Sequence, residues 1–282
     1  AAQQPDRPAI YYPSGRDASG RRTYDAMTYA ELDAQSDHIA QSLTAYGIGR
    51  GVRTVLMVKP SLEFFALTFG MFKAGAVPVM IDPGIGLKNI KKCLAQARPE
   101  AFIGIPPAHA ARVLLRWGRR CLSHLVTVGR KRGWGGATLD ELKRVTSPDQ
   151  TWRMVDTQRE ETAAILFTSG STGTPKGVVY THGTFLAQVS AIRDLYGIQP
   201  GEVDLPTFPL FALFDPALGM TTVIPEMDFS KPATIDPTVV QDAVETFGIT
   251  NMFGSPAVLN TVSRWAEANE VNFHSLRRVI SA

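Results

Sequence analysis

Short apolar runs of strand length alternate with amphipathic stretches of helix length along almost all of this 282-residue chain. No other feature constrains the fold as much. Parallel strands need long crossover connections, and helices supply them. The alternation therefore predicts an α/β fold with parallel-rich sheets covered by helices. Residues 9–12 read as a strand, followed by a polar loop at 13–22. Thr28 and Glu31 form a capping box that opens a helix carrying Leu32, Ile39, Leu43 and Tyr46 on its apolar face, with Gly47 at its stop. A strand at 52–58, a helix capped by Ser61 and running to Lys73, and a strand at 77–81 come next. The alternation continues with helix 87–97, strand 101–105, helix 108–120 and strand 125–128. Thr138 and Glu141 form a second capping box.

Residues 146–159 lack periodicity and read as a linker, which divides the chain into two subdomains, 1–160 and 161–282. Beyond it, 163–167 reads as a strand and 185–196, 237–247 and 257–268 as helices, with Asp236 as an N-cap before Pro237. Residues 250–253 and 276–281 read as strands. A strand so near the last residue, with no crossover after it, leads us to expect the front part of a longer protein.

Composition narrows the function. Lys plus Arg number 29 and Asp plus Glu 26, a net charge of +3, which gives no electrostatic footprint for nucleic acid. Cys93 and Cys121 form no C-x-x-C pair, so neither a disulfide framework nor a zinc site is expected, and the reading is cytoplasmic. Residues 1–8 are polar, with no signal core. The most apolar run, 64–72, falls well short of the roughly 20 residues of a membrane span.

One loop carries chemistry. Residues 168–177, Thr-Ser-Gly-Ser-Thr-Gly-Thr-Pro-Lys-Gly, hold five hydroxyls, three glycines and one lysine after a strand. Glycines let backbone N–H groups approach an anion, hydroxyls add donors, and lysine adds a point charge. The combination suits a polyphosphate; the bland reading is a flexible polar loop. It is not a Walker A loop, because Pro175 precedes Lys176 and Gly177 follows it.

These residues resemble the phosphate-loop signature of the adenylate-forming superfamily of acyl-CoA synthetases, luciferases and peptide-synthetase adenylation domains. Residues 27–32 (Met-Thr-Tyr-Ala-Glu-Leu), 72–83, 180–182 (Tyr-Thr-His) and 209–214 (Pro-Leu-Phe-Ala-Leu-Phe) resemble further motifs of that superfamily, in order. The runs 203–219, 223–228 and 253–257 resemble its β-lactone synthetase branch. Ala212 stands where acyl-CoA synthetases usually place His, which agrees with that branch.

The resemblance implies most of the large N-terminal domain of such an enzyme, with the C-terminal domain absent from this chain. It implies ATP and Mg²⁺, with Thr168 as the metal-side hydroxyl and Lys176 at the phosphates. Thr168, Ser169, Gly170, Ser171, Thr172, Gly173, Thr174 and Lys176 would bind the nucleotide. Phe208, Phe211, Ala212, Phe214, Met220 and Phe253 are the expected acyl-site residues, and core packing is the other reading of the large ones. The implied reaction is adenylation of a long-chain 3-hydroxy (2-alkyl) fatty acid and closure to a β-lactone in olefin biosynthesis, beside other enzymes of that route. The alternatives are a fatty acyl-CoA synthetase or acyl-AMP ligase, and a non-catalytic nucleotide-binding module. His182 is a candidate general base, weighed against a cap or packing role at a helix start.

Residues 101–139 contain no Asp or Glu. Arg112, Arg116 and Arg119 or Arg120 are expected on one face of helix 108–120. That face is either solvated or a docking surface for a partner enzyme, an acyl carrier or anionic lipid.

Overall fold

The structure is a computed structural model describing residues 2–81, 85–149, 152–168 and 175–281, apart from the side chains of Lys88 and Thr168. In chain order the elements are β1 (Pro8–Arg16), β2 (Arg22–Thr28), α1 (Tyr29–Ala45), β3 (Arg53–Met57), α2 (Leu62–Lys73), β4 (Val77–Ile81), α3 (Leu87–Ala97) and β5 (Ala101–Gly104). Then follow α4 (Pro106–Leu114), β6 (His124–Thr127), β7 (Ala137–Thr138), α5 (Leu139–Val145), β8 (Thr162–Thr168), β9 (Lys176–Thr181) and α6 (His182–Tyr196). The last are β10 (Val203–Pro206), α7 (Asp215–Leu218), β11 (Thr221–Val223), α8 (Pro237–Phe247), β12 (Asn251–Phe253), α9 (Pro256–Ala268) and β13 (Arg278–Ile280).

The chain divides into two compact units, residues 1–32 with 188–282, and residues 33–187. These boundaries differ from the linker-based division at 160. Strand pairing is the reason. β8 lies parallel beside β4 in the sheet of the 33–187 unit, and β1 lies parallel beside β11 in the other sheet. Residues 146–159 form no helix or strand among those described, as expected.

The 33–187 unit holds a seven-stranded sheet in the order β7-β6-β5-β3-β4-β8-β9. Its pairs are parallel except β8–β9, which is antiparallel. Val55, Val79 and Phe102 on the central strands are fully buried, as strands covered on both faces require. β9 was not anticipated as a strand; it is the sheet edge, and Val178 and Val179 are exposed there. Ser61 caps α2, accepting the Phe64 N–H at 3.1 Å. Gly70 lets α2 approach α1, since a Cβ there would lie 2.7 Å from Ile39 Cγ2.

The other unit holds a six-stranded sheet, β13-β12-β10-β11-β1-β2, parallel except for the β1–β2 hairpin. Residues 13–22, expected as a loop, are half hairpin strand: Pro13 pairs with Tyr24 and Arg16 with Arg22, and the turn is confined to 17–21. The core of this unit packs Leu205, Val223 and Met252 against Val240, Val244 and Val258 of α8 and α9. Asp236 caps α8, accepting the Thr238 N–H at 3.0 Å.

One helix differs in a way that matters below. α4 ends at Leu114, not near 120. Arg116 adopts a left-handed backbone (φ 53°), the Trp117 N–H donates to Arg112 O at 2.9 Å, and the Arg116 N–H donates to Val113 O at 3.3 Å. This is a Schellman turn. Continuing the helix would leave the Trp117 indole outside. The turn instead buries it, 2% exposed, in the cluster with Cys93, Leu94 and Phe102. The arginines at 112, 116, 119 and 120 therefore do not share a helix face.

Candidate active site

In the 33–187 unit, β8 and β9 are the two stems of the loop expected to bind phosphate. Their antiparallel ladder pairs Phe167 with Gly177 and Thr168 with Lys176, so both ends of the loop are held at one sheet edge. Gly177 is needed there because the Phe167 ring crosses it; a Cβ would lie 2.9 Å from Phe167 Cζ. Lys176, at the first position of β9, is exposed and has no ion-pair partner among the described residues. Ser169, Gly170, Ser171, Thr172, Gly173 and Thr174 lie outside the described residues, as does the side chain of Thr168. Among the described residues no cluster of three His, Cys, Asp or Glu could hold a metal ion.

His182 opens α6, and its N–H donates to Glu161 O at 3.1 Å. Its ring sits edge-on to Phe72, with centroids 6.5 Å apart. Burial pulls the imidazole below its usual range, and the Glu161 charge opposes this in part. Glu161 itself is held by Arg50 through two hydrogen bonds of 2.5 and 2.9 Å, which lower its carboxyl to about 2. His182 is thus neutral at pH 7 and packed on an aromatic ring. Among the described residues no hydrogen bond orients its ring nitrogens, so the geometry favours packing over general-base work. Phe185 continues this group, 5.9 Å from Phe72 and stacked on Tyr180 at 5.2 Å.

In the other unit, β10 delivers the acyl-site segment. Thr207 ties it to β12, its N–H and Oγ both donating to Phe253 O at 2.8 and 3.0 Å. Phe208, Phe211 and Phe253 form one aromatic group, with ring centroids 5.5 and 4.0 Å apart in turn. Ala212 is fully buried beside it in a short 3₁₀ turn, where an imidazole would need space that the methyl does not. Phe214 and Met220 go elsewhere. They pack with Ile198, Leu218, Val189 and Ile192, so the expected set of six splits into an aromatic group and a core pair. A cavity of about 450 Å³ in this unit is lined by Arg16, Arg22, Glu226 and Asp236, and by none of the expected acyl-site residues.

The segment is framed by two acids, Asp204 on β10 and Asp215 at the start of α7, both buried. Burial, then the Asp215 charge, drives the Asp204 carboxyl far above its ordinary range. Burial pushes Asp215 up to about 7. Two neighbouring buried carboxyls disfavour ionising both together. The phenol of Tyr29 closes this region, donating to Met220 O at 2.7 Å.

The family model described as "AMP-binding enzyme" matches residues 1–282. The chain belongs to that family. The chain is 53% identical over 268 residues to the olefin beta-lactone synthetase of Xanthomonas campestris pv. campestris, covering 95% of this chain and 48% of that protein. It is also 53% identical over 266 residues to the olefin beta-lactone synthetase of Stenotrophomonas maltophilia, covering 94% and 48%. The chain thus spans about half the length of these curated relatives. Among solved structures, the inhibitor-bound N-terminal domain of FACL13 from Mycobacterium tuberculosis aligns with a TM-score of 0.78 at 24% identity, covering 100% of this chain and 67% of that one. An anthranilate CoA ligase with bound anthranoyl-AMP aligns at 0.80 and 18% identity, covering 99% and 52%. The α/β architecture of the chain is therefore the fold of these solved structures.

Sequence reasoning missed the framing acids, although Asp204 and Asp215 stand in a run it singled out. The available signal was two carboxylates inside a stretch that is otherwise almost wholly apolar or proline-rich. It also missed Phe185, whose pairing with Tyr180 depends on how α6 leaves β9.

Proposed function

We propose that the protein adenylates a long-chain 3-hydroxy (2-alkyl) fatty acid with ATP and then closes it to a β-lactone, in olefin biosynthesis. The observation that carries this reading is the 53% identity to two olefin beta-lactone synthetases across nearly the whole chain. Buried Ala212 next to the aromatic group of Phe208, Phe211 and Phe253 supports it, since it offers an apolar wall without an imidazole.

In the first step a carboxylate oxygen attacks the α-phosphorus of ATP. The α–β phosphoanhydride breaks and pyrophosphate leaves, giving the acyl-adenylate. Catalysis of such transfers is mainly positioning and charge neutralisation. An exposed Lys176, with no ion-pair partner among the described residues, at the end of a hydroxyl- and glycine-rich loop fits polyphosphate oxygens. Mg²⁺ would be held on the Thr168 side and would neutralise phosphate charge. In the second step the substrate's own 3-hydroxyl oxygen attacks the acyl carbon, its proton passes to a base, and AMP leaves as the four-membered ring closes. The nucleophile is tethered, so proximity supplies much of the rate.

No helix among the described residues is long and apolar enough to cross a membrane. We place the protein in the cytoplasm, on its two unpaired cysteines, with the other enzymes of olefin biosynthesis as partners.

Mass spectrometry of the products from ATP, Mg²⁺ and a 3-hydroxy fatty acid, with and without CoA, tests the reading. β-Lactone formed independently of CoA is the expected result. Thioester from simple fatty acids with no lactone would assign it instead to the CoA ligases, to one of which, from Mycobacterium tuberculosis, the chain is 28% identical.

A further inference from the structure

Residues 101–139 carry six arginines and one lysine and no acid. Among the described residues the only ion pair of this span joins Lys131 to Glu141 at 3.1 Å. The turn after α4 gathers three of them, Arg116, Arg119 and Arg120, with apolar surface. As Trp117 goes inward, Val113, Leu114 and Leu115 are left 51%, 80% and 38% exposed. Arg116, Arg119 and Arg120 stand exposed beside them.

The same turn walls a cavity of about 310 Å³ between Arg112, Arg116, Arg119 and Trp117. Arg112 is held by Trp134 O at 3.4 Å and lies over the Phe102 ring at 5.9 Å, with no carboxylate among the described residues. Three guanidinium groups around one concavity suit an anionic oxygen group such as a phosphodiester.

We propose that this face docks on an anionic phospholipid bilayer, with a headgroup phosphate in the arginine-walled cavity and the 113–115 tip in the acyl boundary. Basic surface flanking a small apolar projection is the chemistry of interfacial binding. A protein partner fits less well. A stable protein interface covers about 800 Å² on each side with an apolar centre, whereas the apolar part here is three residues at a turn. The inference stands independently of the reaction proposed above.

Flotation of the purified protein with phosphatidylcholine vesicles, with and without phosphatidylglycerol, tests it. Binding is expected only to the anionic vesicles and should weaken with salt. Joint replacement Arg116→Glu, Arg119→Glu and Arg120→Glu should lower partitioning by about a hundredfold, at roughly one phosphate-scale contact per arginine. Leu114→Ser should lower it severalfold without changing the salt dependence. The corresponding Gln replacements give an intermediate loss and serve if the Glu variant fails to fold. Equal binding to neutral vesicles, no binding to either kind, or a charge variant that binds like the parent overturns the proposal. Binding untouched by Leu114→Ser overturns insertion of the tip.

Discussion

The Phe211 ring lies on the Phe253 ring, with centroids 4.0 Å apart and planes 25° from parallel. One residue belongs to the acyl-site segment and the other ends β12, so the contact fixes where that segment sits on its sheet. Phe211 is still 39% exposed, which leaves part of its ring free to meet an acyl chain. Phe211→Ala should therefore act on substrate more than on stability. An aromatic pair contributes about 1 kcal/mol beyond burial. We expect the KM for a long-chain acid to rise several-fold, with a smaller change for a short one, in a steady-state pyrophosphate assay across chain lengths.

Lys176 is exposed and makes no ion pair among the described residues, so its removal should not disturb the sheet edge. Lys176→Ala should cut pyrophosphate release by about a hundredfold or more, the scale of losing a charged contact to a transition state, with an unchanged melting temperature. A melting temperature that falls along with activity would count against a phosphate role.

The Asp204–Asp215 pair gives a pH dependence of definite sign. Unfolded, Asp215 titrates near 3.8; folded, near 7. A raised folded pKa means its stabilisation is complete below pH 3.8 and is lost as pH rises through about 7. Asp215→Asn removes that loss. The variant should gain stability relative to the parent between pH 4 and pH 8, on the order of a few kcal/mol. Parallel melting curves at several pH values check it; a gap between the two proteins that does not grow with pH would refute the raised Asp215 pKa.

Gly70 is the close point between α1 and α2. Gly70→Ala would drive a methyl to 2.7 Å from Ile39 Cγ2 and 3.1 Å from Ser36 O. Overpacking of this kind costs about 1–3 kcal/mol, more than the helix-propensity gain of about 1 kcal/mol. Thermal unfolding should show a net loss, and an increase would mean the helices can part freely.

Arg116 occupies a left-handed position that glycine usually fills. Arg116→Gly should raise stability by about 1 kcal/mol, since only L side chains bear that strain. Denaturant midpoints measure it directly.

Legibility followed the range of the forces involved. The caps read from sequence appear with their hydrogen bonds: Thr28 with Glu31 at 2.8 and 3.2 Å, and Thr138 with Glu141 at 2.7 and 3.0 Å. Each is set by residues three apart. Helices 87–97 and 237–247 match α3 and α8 at both ends for the same reason. Helix 108–120 does not match α4, because burying Trp117 against α3 and β5 outweighs continued local periodicity. In the candidate site, the expectation of a phosphate loop came from composition, and the structure describes only its two stems. The splitting of the six expected acyl-site residues was not legible, because Phe214 and Phe211 look alike in sequence and differ only in what lies opposite them.

By itself, then, the sequence determined the α/β class, the caps and the family, all written in neighbouring residues or in short ordered motifs. Tertiary structure alone decided that β1 joins β11 while β8 joins β4, that Asp204 meets Asp215, and that Trp117 turns its chain away from a helix. These outcomes rest on burial between segments far apart in the chain, where the free energy depends on the partner surface and no local pattern carries it.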